Sequence, residues 1–238
     1  VIGFVMWRKK WNGKIPVPHW ALLRKLGPSA LQHHLINLII IAPNYALPIL
    51  VTTLISAETN AWFYIAFLIA DVVYVVPQAL VMALYAISAS QPDILARRAR
   101  LTILLTLLAY VLANAVLFPG APLLLGFFGP AYAANGVWAL RFLALAALPF
   151  FIKDLYIAIC RIQDRIANVL LPLTAGAILE VVGAVVGAHF GNAAGLSLGW
   201  FIAISIEAVL MLVPIYNIAR PLDRWHRKPD QEATLLKD

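Results

Sequence analysis

The sequence predicts an all-α membrane protein, a polytopic bundle of six transmembrane helices. Apolar residues make up 63% of the chain and charged residues only 12%, whereas an ordinary globular domain has about 45–50% and about 25%. The mean hydropathy is +0.86. So few charged side chains cannot cover a water-soluble surface of this size. Lipid must therefore surround most of the chain.

Six apolar stretches are each long enough to cross the ~30 Å hydrocarbon core of a bilayer as a helix. Strands are disfavoured because the stretches lack two-residue alternation, and because an open sheet edge in lipid would leave backbone groups without hydrogen bonds. The stretches, which polar residues, glycine and proline separate, are residues 31–55, 61–87, 101–119, 137–159, 167–189 and 196–217.

The first two predicted spans carry polar side chains at membrane depth, beside prolines that leave backbone carbonyls without their usual N–H donors. Asp71, Tyr74 and Gln78 follow one another at i, i+3 and i+7, a spacing that places them on one helix face. We expect the polar residues of both spans to line a hydrophilic path. These residues are Asn44, Tyr45, Asp71, Tyr74 and Gln78.

The fourth predicted span carries three charged residues, Arg141 in the outer leaflet and Lys153 and Asp154 in the inner half. A charge near the bilayer centre costs about 2.5–3.5 kcal/mol on insertion scales. Each charge is therefore expected to have a partner or to face a water-filled cavity. Lys153 and Arg141 are candidate partners of Asp71, and the alternative is that Lys153 and Asp154 reach the cytoplasmic interface.

The last two predicted spans each contain one carboxylate, Glu180 and Glu207. For these, a place in the cavity and a hydrogen bond between helices are both open. Gly183 and Gly187 recur at four-residue spacing, and a face without side chains lets a neighbouring helix approach closely. The glycine-rich segment 191–199 predicts a tight turn before the sixth span.

The basic residues predict the orientation of the spans. All lysines and arginines except Arg141 and Lys153 fall before span one, between spans two and three, between spans four and five, or after span six. Positive residues concentrate on the cytoplasmic side, so both termini are predicted to be cytoplasmic. The net charge of +7 therefore reflects topology, and no nucleic-acid partner is expected.

The segments that flank the six-helix region 31–217 are short. Residues 1–7 are apolar and end at a basic cluster, and the chain does not begin with Met, which predicts the end of a truncated transmembrane helix. Residues 8–30 are basic, with proline and tryptophan, and predict a cytoplasmic linker along the lipid headgroups. Residues 218–238 are polar and predict a cytoplasmic tail.

The chain carries no signature of an enzyme. It has no P-loop, zincin, nucleophile-elbow or CxxC pattern. Its single cysteine, Cys160, excludes an intrachain disulfide and a cysteine-based metal cluster. We therefore expect no catalytic residue, no metal and no cofactor.

Three stretches resemble polysaccharide flippases of the MOP (multidrug/oligosaccharidyl-lipid/polysaccharide) superfamily. Residues 61–70, followed by 76–78 and 84–86, resemble the eighth helix of that family. Residues 125–134 through 140–146 resemble the segment that joins helices nine and ten, and residues 190–195 resemble the turn before the last helix. The part from Phe128 to Tyr132 is the most distinctive.

This resemblance implies two six-helix lobes that rock about a central cavity and pass lipid-linked sugars across the cell membrane. The chain would be the second lobe of a 6+6 transporter, residues 8–30 the interlobe linker, and an N-terminal six-helix lobe its partner. The family's cavity-facing helices match the first two spans and so point to Asn44, Tyr45, Asp71 and Gln78. Cations such as Arg141 and Lys153 would attract the anionic headgroup into a cationic cavity.

Three other functions remain open, and one of them is a non-transporting scaffold subunit. A MATE-type drug/cation antiporter of the same fold predicts a compact acidic cluster in the cavity. A membrane-embedded glycosyl- or acyltransferase predicts catalytic carboxylates or His–Asp pairs at a membrane face.

Overall fold

The computed structural model describes residues 20–88, 95–162, 165 and 167–225, which form helices joined by turns and include no strand. The prediction of an all-α fold is confirmed for this part of the chain. The helices are α1 (Trp20–Leu54), α2 (Ala57–Ser88), α3 (Leu95–Gly126), α4 (Pro130–Leu145), α5 (Ala147–Ile162) and α6 (Ala167–Trp225).

Within the described residues, five helical stretches are long and apolar enough to span a membrane. The first four coincide with predicted spans one to four, and the fifth contains both predicted spans five and six. The count differs from six because the break inside the fifth stretch occupies only two residues. The stretches are Ala30–Leu54, Ala57–Ala86, Arg100–Gly126, Pro130–Ile162 and Val169–Val213.

The break in α6 reverses the direction of the chain. Gly191 (φ −155°, ψ 28°) and Asn192 (φ 54°, ψ −142°) are not helical, and asparagine tolerates a positive φ better than most residues. A Cβ atom on Gly187 would overlap the carbonyl of Gly195, although these residues would be ~12 Å apart in a continuous helix. Helix α6 therefore consists of two antiparallel legs, 167–190 and 193–225.

The chain divides into two compact units, residues 1–35 and 36–238. In the first unit, α1 begins at Trp20, inside the segment predicted as a linker. Residues 1–19, which include the predicted end of a truncated helix, lie outside the described residues. In the second unit, α6 continues into the predicted tail as far as Trp225, and the rest of that tail also lies outside the described residues.

The second unit is a helical bundle with its main core near one end. Helix α4 packs against α2 and α3, and α5 packs against α2 and α6. The main core includes Val51, Leu125 and Ala193, which lie next to the turns after α1, after α3 and within α6. These three turns therefore share one end of the bundle. Two smaller clusters, around Ile36 and around Val81, lie toward the other end.

The outer surface of the bundle is apolar. Only 11% of the most apolar part of α3 is buried, and its leucines and valines are largely exposed. Polar side chains bond to their own helix: Thr52 Oγ1 donates to the Pro48 carbonyl (2.9 Å) and Thr174 Oγ1 to the Leu170 carbonyl (2.8 Å). Exposed aliphatic side chains with internally satisfied polar groups suit lipid. The protein is membrane-embedded.

Helices α4 and α5 form one membrane-length stretch with a break at Ala146. Pro149 has no N–H to donate to the Leu145 carbonyl. The Tyr110 hydroxyl donates to that carbonyl instead (3.3 Å), and the Tyr74 hydroxyl donates to the neighbouring Leu143 carbonyl (2.6 Å). Tyrosines from α3 and α2 thus stabilise the break from which α5 starts.

We predict that Gly187→Ala lowers the free energy of unfolding by about 1–3 kcal/mol, because the added methyl group forces the two legs of α6 apart. Equilibrium unfolding in mixed micelles measures the change. Gly120→Ala is the matched control, since no atom lies within 4 Å of a Cβ there, and it should be neutral or slightly stabilising. Equal effects of the two substitutions would contradict close packing of the legs.

Candidate functional site

A cavity of about 640 Å³ lies between α1, α2 and α5 in the second unit. It is partly open, and its walls combine apolar side chains with a group of polar and charged ones. The polar lining residues are Asn37, Asn44, Tyr45, Asp71, Gln78, Tyr85, Asp154 and Arg161.

Helical spacing explains why these residues meet at the cavity. On α1, Asn37 and Asn44 are seven residues apart, and on α2, Asp71 and Gln78 are also seven apart. On α5, Asp154 precedes Arg161 by the same interval. Seven residues are close to two helical turns, so each pair lies on one face of its helix. Three such faces converge to form the walls.

Five of the eight residues predicted for a substrate path line this cavity. The predicted residues came from spans one, two and four, and Asp154 of span four contributes to the wall that α5 forms. The five residues are Asn44, Tyr45, Asp71, Gln78 and Asp154.

Tyr74 does not line the cavity, although it follows Asp71 by three residues. Its side chain is buried, its hydroxyl donates to the Leu143 carbonyl, and its ring meets Phe150 edge-on at 5.3 Å between centroids. A side chain three residues after Asp71 lies about 60° away from it around the helix axis. That rotation directs Tyr74 toward the break between α4 and α5.

Arg141 lies outside the cavity and donates a hydrogen bond to a backbone carbonyl near the end of α3. Pro122 has no N–H for the Phe118 carbonyl, and Arg141 Nε donates to that carbonyl instead (2.9 Å). The guanidinium also lies over the rings of Phe118 (4.7 Å) and Trp138 (4.9 Å), an arrangement that stabilises a cation. Helix α3 therefore continues past its predicted end at residue 119 to Gly126.

Lys153 is buried in the interior of the bundle, on a face of α5 next to the one that lines the cavity. Its Nζ donates to Glu180 Oε1 (2.6 Å) and to Glu207 Oε2 (3.0 Å), and its exposed fraction is 1%. The two glutamates come from the two legs of α6. Among the described residues, neither Lys153 nor Arg141 forms an ion pair with Asp71.

The charged residues of the lining are two carboxylates, Asp71 and Asp154, and one guanidinium, Arg161. Arg161 is the only cation among the described residues that line this cavity, since Arg141 and Lys153 form their contacts elsewhere. The sequence placed Arg161 in a loop, since the predicted span ended at residue 159. The position of Arg161, seven residues after Asp154, could have indicated that both side chains lie on one helix face.

Arg161 also joins two walls of the cavity. Its Nη2 donates to Asn37 Oδ1 (2.6 Å), while its Nε is buried without a hydrogen-bond partner. The guanidinium thus ties α5 to α1 and still has donor capacity.

We predict that Tyr74→Phe lowers the free energy of unfolding by about 1–3 kcal/mol, because the buried Leu143 carbonyl would lose its donor. Thermal unfolding of the purified protein in detergent measures the loss. Tyr64→Phe is the control on the same helix, since Tyr64 is 45% exposed and its hydroxyl makes no described hydrogen bond. Its effect should stay within about 0.5 kcal/mol, and an equal loss at both positions would contradict the capping role of Tyr74.

Comparison of the chain with protein-family models, with curated proteins and with solved structures finds no match.

Proposed function

We propose that this protein is a transporter that flips lipid-linked oligosaccharide or polysaccharide precursors across the cytoplasmic membrane by alternating access, without making or breaking bonds. The polar cavity inside an apolar bundle carries the proposal. Its volume of about 640 Å³ falls in the ~300–1,000 Å³ range of small-molecule sites. A sugar headgroup fits such a cavity while its lipid tail stays in the bilayer.

The lining suits a headgroup with many hydroxyl groups. Asn37, Asn44 and Gln78 each offer a carbonyl acceptor and an amide donor, and Asp71 and Asp154 accept hydrogen bonds. Two tyrosines of the lining add aromatic surface against which the apolar faces of sugar rings can pack.

Arg161 is the candidate contact for the phosphate that links sugar to lipid. A guanidinium binds phosphate oxygens through several N–H groups at once. Arg161 lines the cavity, and only its Nη2 has a described hydrogen bond, to Asn37, which leaves the guanidinium with unused donor capacity.

In the topology that we propose, the chain crosses the membrane six times. Helices α1, α2 and α3 each cross once, α4 and α5 together cross once, and the two legs of α6 cross once each. Each leg within Val169–Val213 is about 30 Å long, which matches the hydrocarbon core. An even number of crossings and the segregated basic residues then put both termini in the cytoplasm.

The chain would supply one lobe, and an N-terminal six-helix lobe would close the cavity. Tyr45 and Met82 line the cavity and yet are 70% and 74% exposed, so the cavity is open on their side. A second lobe would cover this opening. Rocking of the two lobes would expose the cavity to one side of the membrane at a time.

A drug/cation antiporter is the second candidate, and one observation favours it. Asp71 and Asp154 give the cavity two carboxylates against one guanidinium. An excess of negative charge attracts organic cations. Identification of the transported compound, a lipid-linked sugar or an organic cation, would distinguish the two functions.

We predict that Asp71→Asn reduces export of the sugar polymer by about tenfold or more at unchanged abundance in the membrane. The change keeps the shape of the side chain but removes the charged acceptor, and tenfold corresponds to ~1.4 kcal/mol. Abundance should hold because Asp71 is exposed and no described ion pair depends on it. The measurement is polymer export, normalised to membrane abundance, in cells that require this gene for export.

Glu58→Gln is the control, because Glu58 is exposed in the first turn of α2 and lies outside the cavity. It should leave export unchanged. Normal export by the Asp71 variant at normal abundance would remove Asp71 from the path. Loss of resistance to lipophilic cations with unchanged polymer export would favour the antiporter.

We predict that single cysteines replacing Glu58, Phe127 and Phe190 all react with an impermeant thiol reagent in intact cells. Each position adjoins one of the three turns at the same end of the bundle, and Phe127 and Phe190 are 79% and 88% exposed. The background is Cys160→Ser, which removes the buried native thiol. A position that reacts only after permeabilisation would contradict the six-crossing topology.

A further inference from the structure

Three charged side chains meet in the interior of the bundle, away from the cavity. Lys153 from α5, Glu180 from the first leg of α6 and Glu207 from the second leg are 1%, 2% and 4% exposed. We call these residues the buried triad. Glu180 lies ~17 Å along its leg from the turn at Gly191, which is near the middle of a ~30 Å hydrocarbon core.

The hydrogen bonds of the triad are unequal. Glu180 has both oxygens satisfied, since Lys153 Nζ donates to Oε1 (2.6 Å) and Trp200 Nε1 donates to Oε2 (2.7 Å). Glu207 Oε2 accepts from Lys153 Nζ (3.0 Å). Glu207 Oε1 is buried and has no hydrogen-bond partner.

The charges of the triad do not balance when all three groups are ionised. Two carboxylates face one ammonium, so the sum is one negative charge, and it would rest in an apolar interior that strongly disfavours it. A proton on Glu207 Oε1 brings the sum to zero and converts the unpartnered acceptor into a hydroxyl group.

We propose that the buried triad is a proton-binding site, at which Glu207 takes up a proton from water and becomes a carboxylic acid beside the Lys153–Glu180 ion pair. The titratable groups that act on Glu207 are Lys153 from α5 and Glu180 from the other leg of α6. Tyr74 from α2 lies near enough to Glu180 for the carboxylate to act on it, and the Tyr74 hydroxyl donates to the Leu143 carbonyl.

A proton fits this site better than a metal ion does. The Lys153 ammonium already occupies the space between the two carboxylates, and a second cation there would be repelled. Only one carboxylate oxygen lacks a partner, whereas metal ions that prefer oxygen require several ligands. The described residues include no group of three or more His, Cys, Asp or Glu that could hold a metal ion.

Gly176 fixes the place of the proton-binding carboxyl group. A Cβ atom on Gly176 would overlap the carboxylate of Glu207, so the group lies directly against the backbone of the first leg. Lys153 connects this site to α5. The residue after Lys153, Asp154, lines the cavity. The proton site does not depend on the transport proposal, because it follows from charge and burial alone.

The test counts the protonated carboxyl groups of the full chain in lipid bilayers near neutral pH. Infrared spectroscopy detects these groups by the carboxylic acid C=O band, which shifts in D₂O. The wild type should have one such group more than Glu207→Gln and one more than Glu180→Gln, because each variant balances Lys153 with a single carboxylate. Lys153→Met should have at least one group more than the wild type, because the triad then has no cation. If Glu207→Gln does not accumulate, the spectra of Glu180→Gln and Lys153→Met decide.

An unchanged carboxylic acid band in Glu207→Gln or Glu180→Gln would overturn the proposal. A second overturning result is stabilisation by Na⁺ of the wild type but not of Glu207→Gln, since the site would then hold an alkali cation. Asp71→Asn is the control for the band, because Asp71 is exposed at the cavity and makes no described hydrogen bond or ion pair with the triad.

Discussion

The burial of Lys153 between Glu180 and Glu207 is the interaction on which the rest of the bundle depends. Ion pairs at a water-exposed surface contribute about 0–1 kcal/mol, but removal of one partner from a buried pair costs about 3–5 kcal/mol. In lipid, the alternative to pairing is a bare charge in hydrocarbon. Both legs of α6 are therefore held against α5, and the glycine face between the legs lets them approach closely enough to share one lysine.

Polar groups inside the bundle need hydrogen-bond partners, and this requirement also affects the helices that form the cavity. Prolines free carbonyls in α3 and at the start of α5, and side chains from other helices, Arg141 and Tyr110 among them, donate to these carbonyls. The break at Ala146 separates α4 from α5. Lys153 then anchors one face of α5 in the interior, and the adjacent face presents Asp154 and Arg161 to the cavity.

Helix-forming stretches and helix faces could be predicted from the sequence, because length, hydropathy and spacing are local properties. They located the first four spans and the cavity residues Asn44, Asp71 and Gln78. The partners of Lys153 could not be predicted, because they lie 27 and 54 residues away along the chain and several carboxylates were equally plausible. The role of Arg141 depends on a carbonyl that Pro122 frees on a different helix, which spacing cannot reveal.

A double-mutant cycle on Lys153→Met and Glu180→Gln, measured as the free energy of unfolding in mixed micelles, tests the triad most directly. Lys153→Met alone should cost about 3 kcal/mol. The double variant should lose about 2 kcal/mol less than the sum of the single variants, because Lys153→Met already removes the ion pair that Glu180→Gln would remove. Additive losses within about 0.5 kcal/mol would contradict the claim that this buried ion pair holds the bundle together.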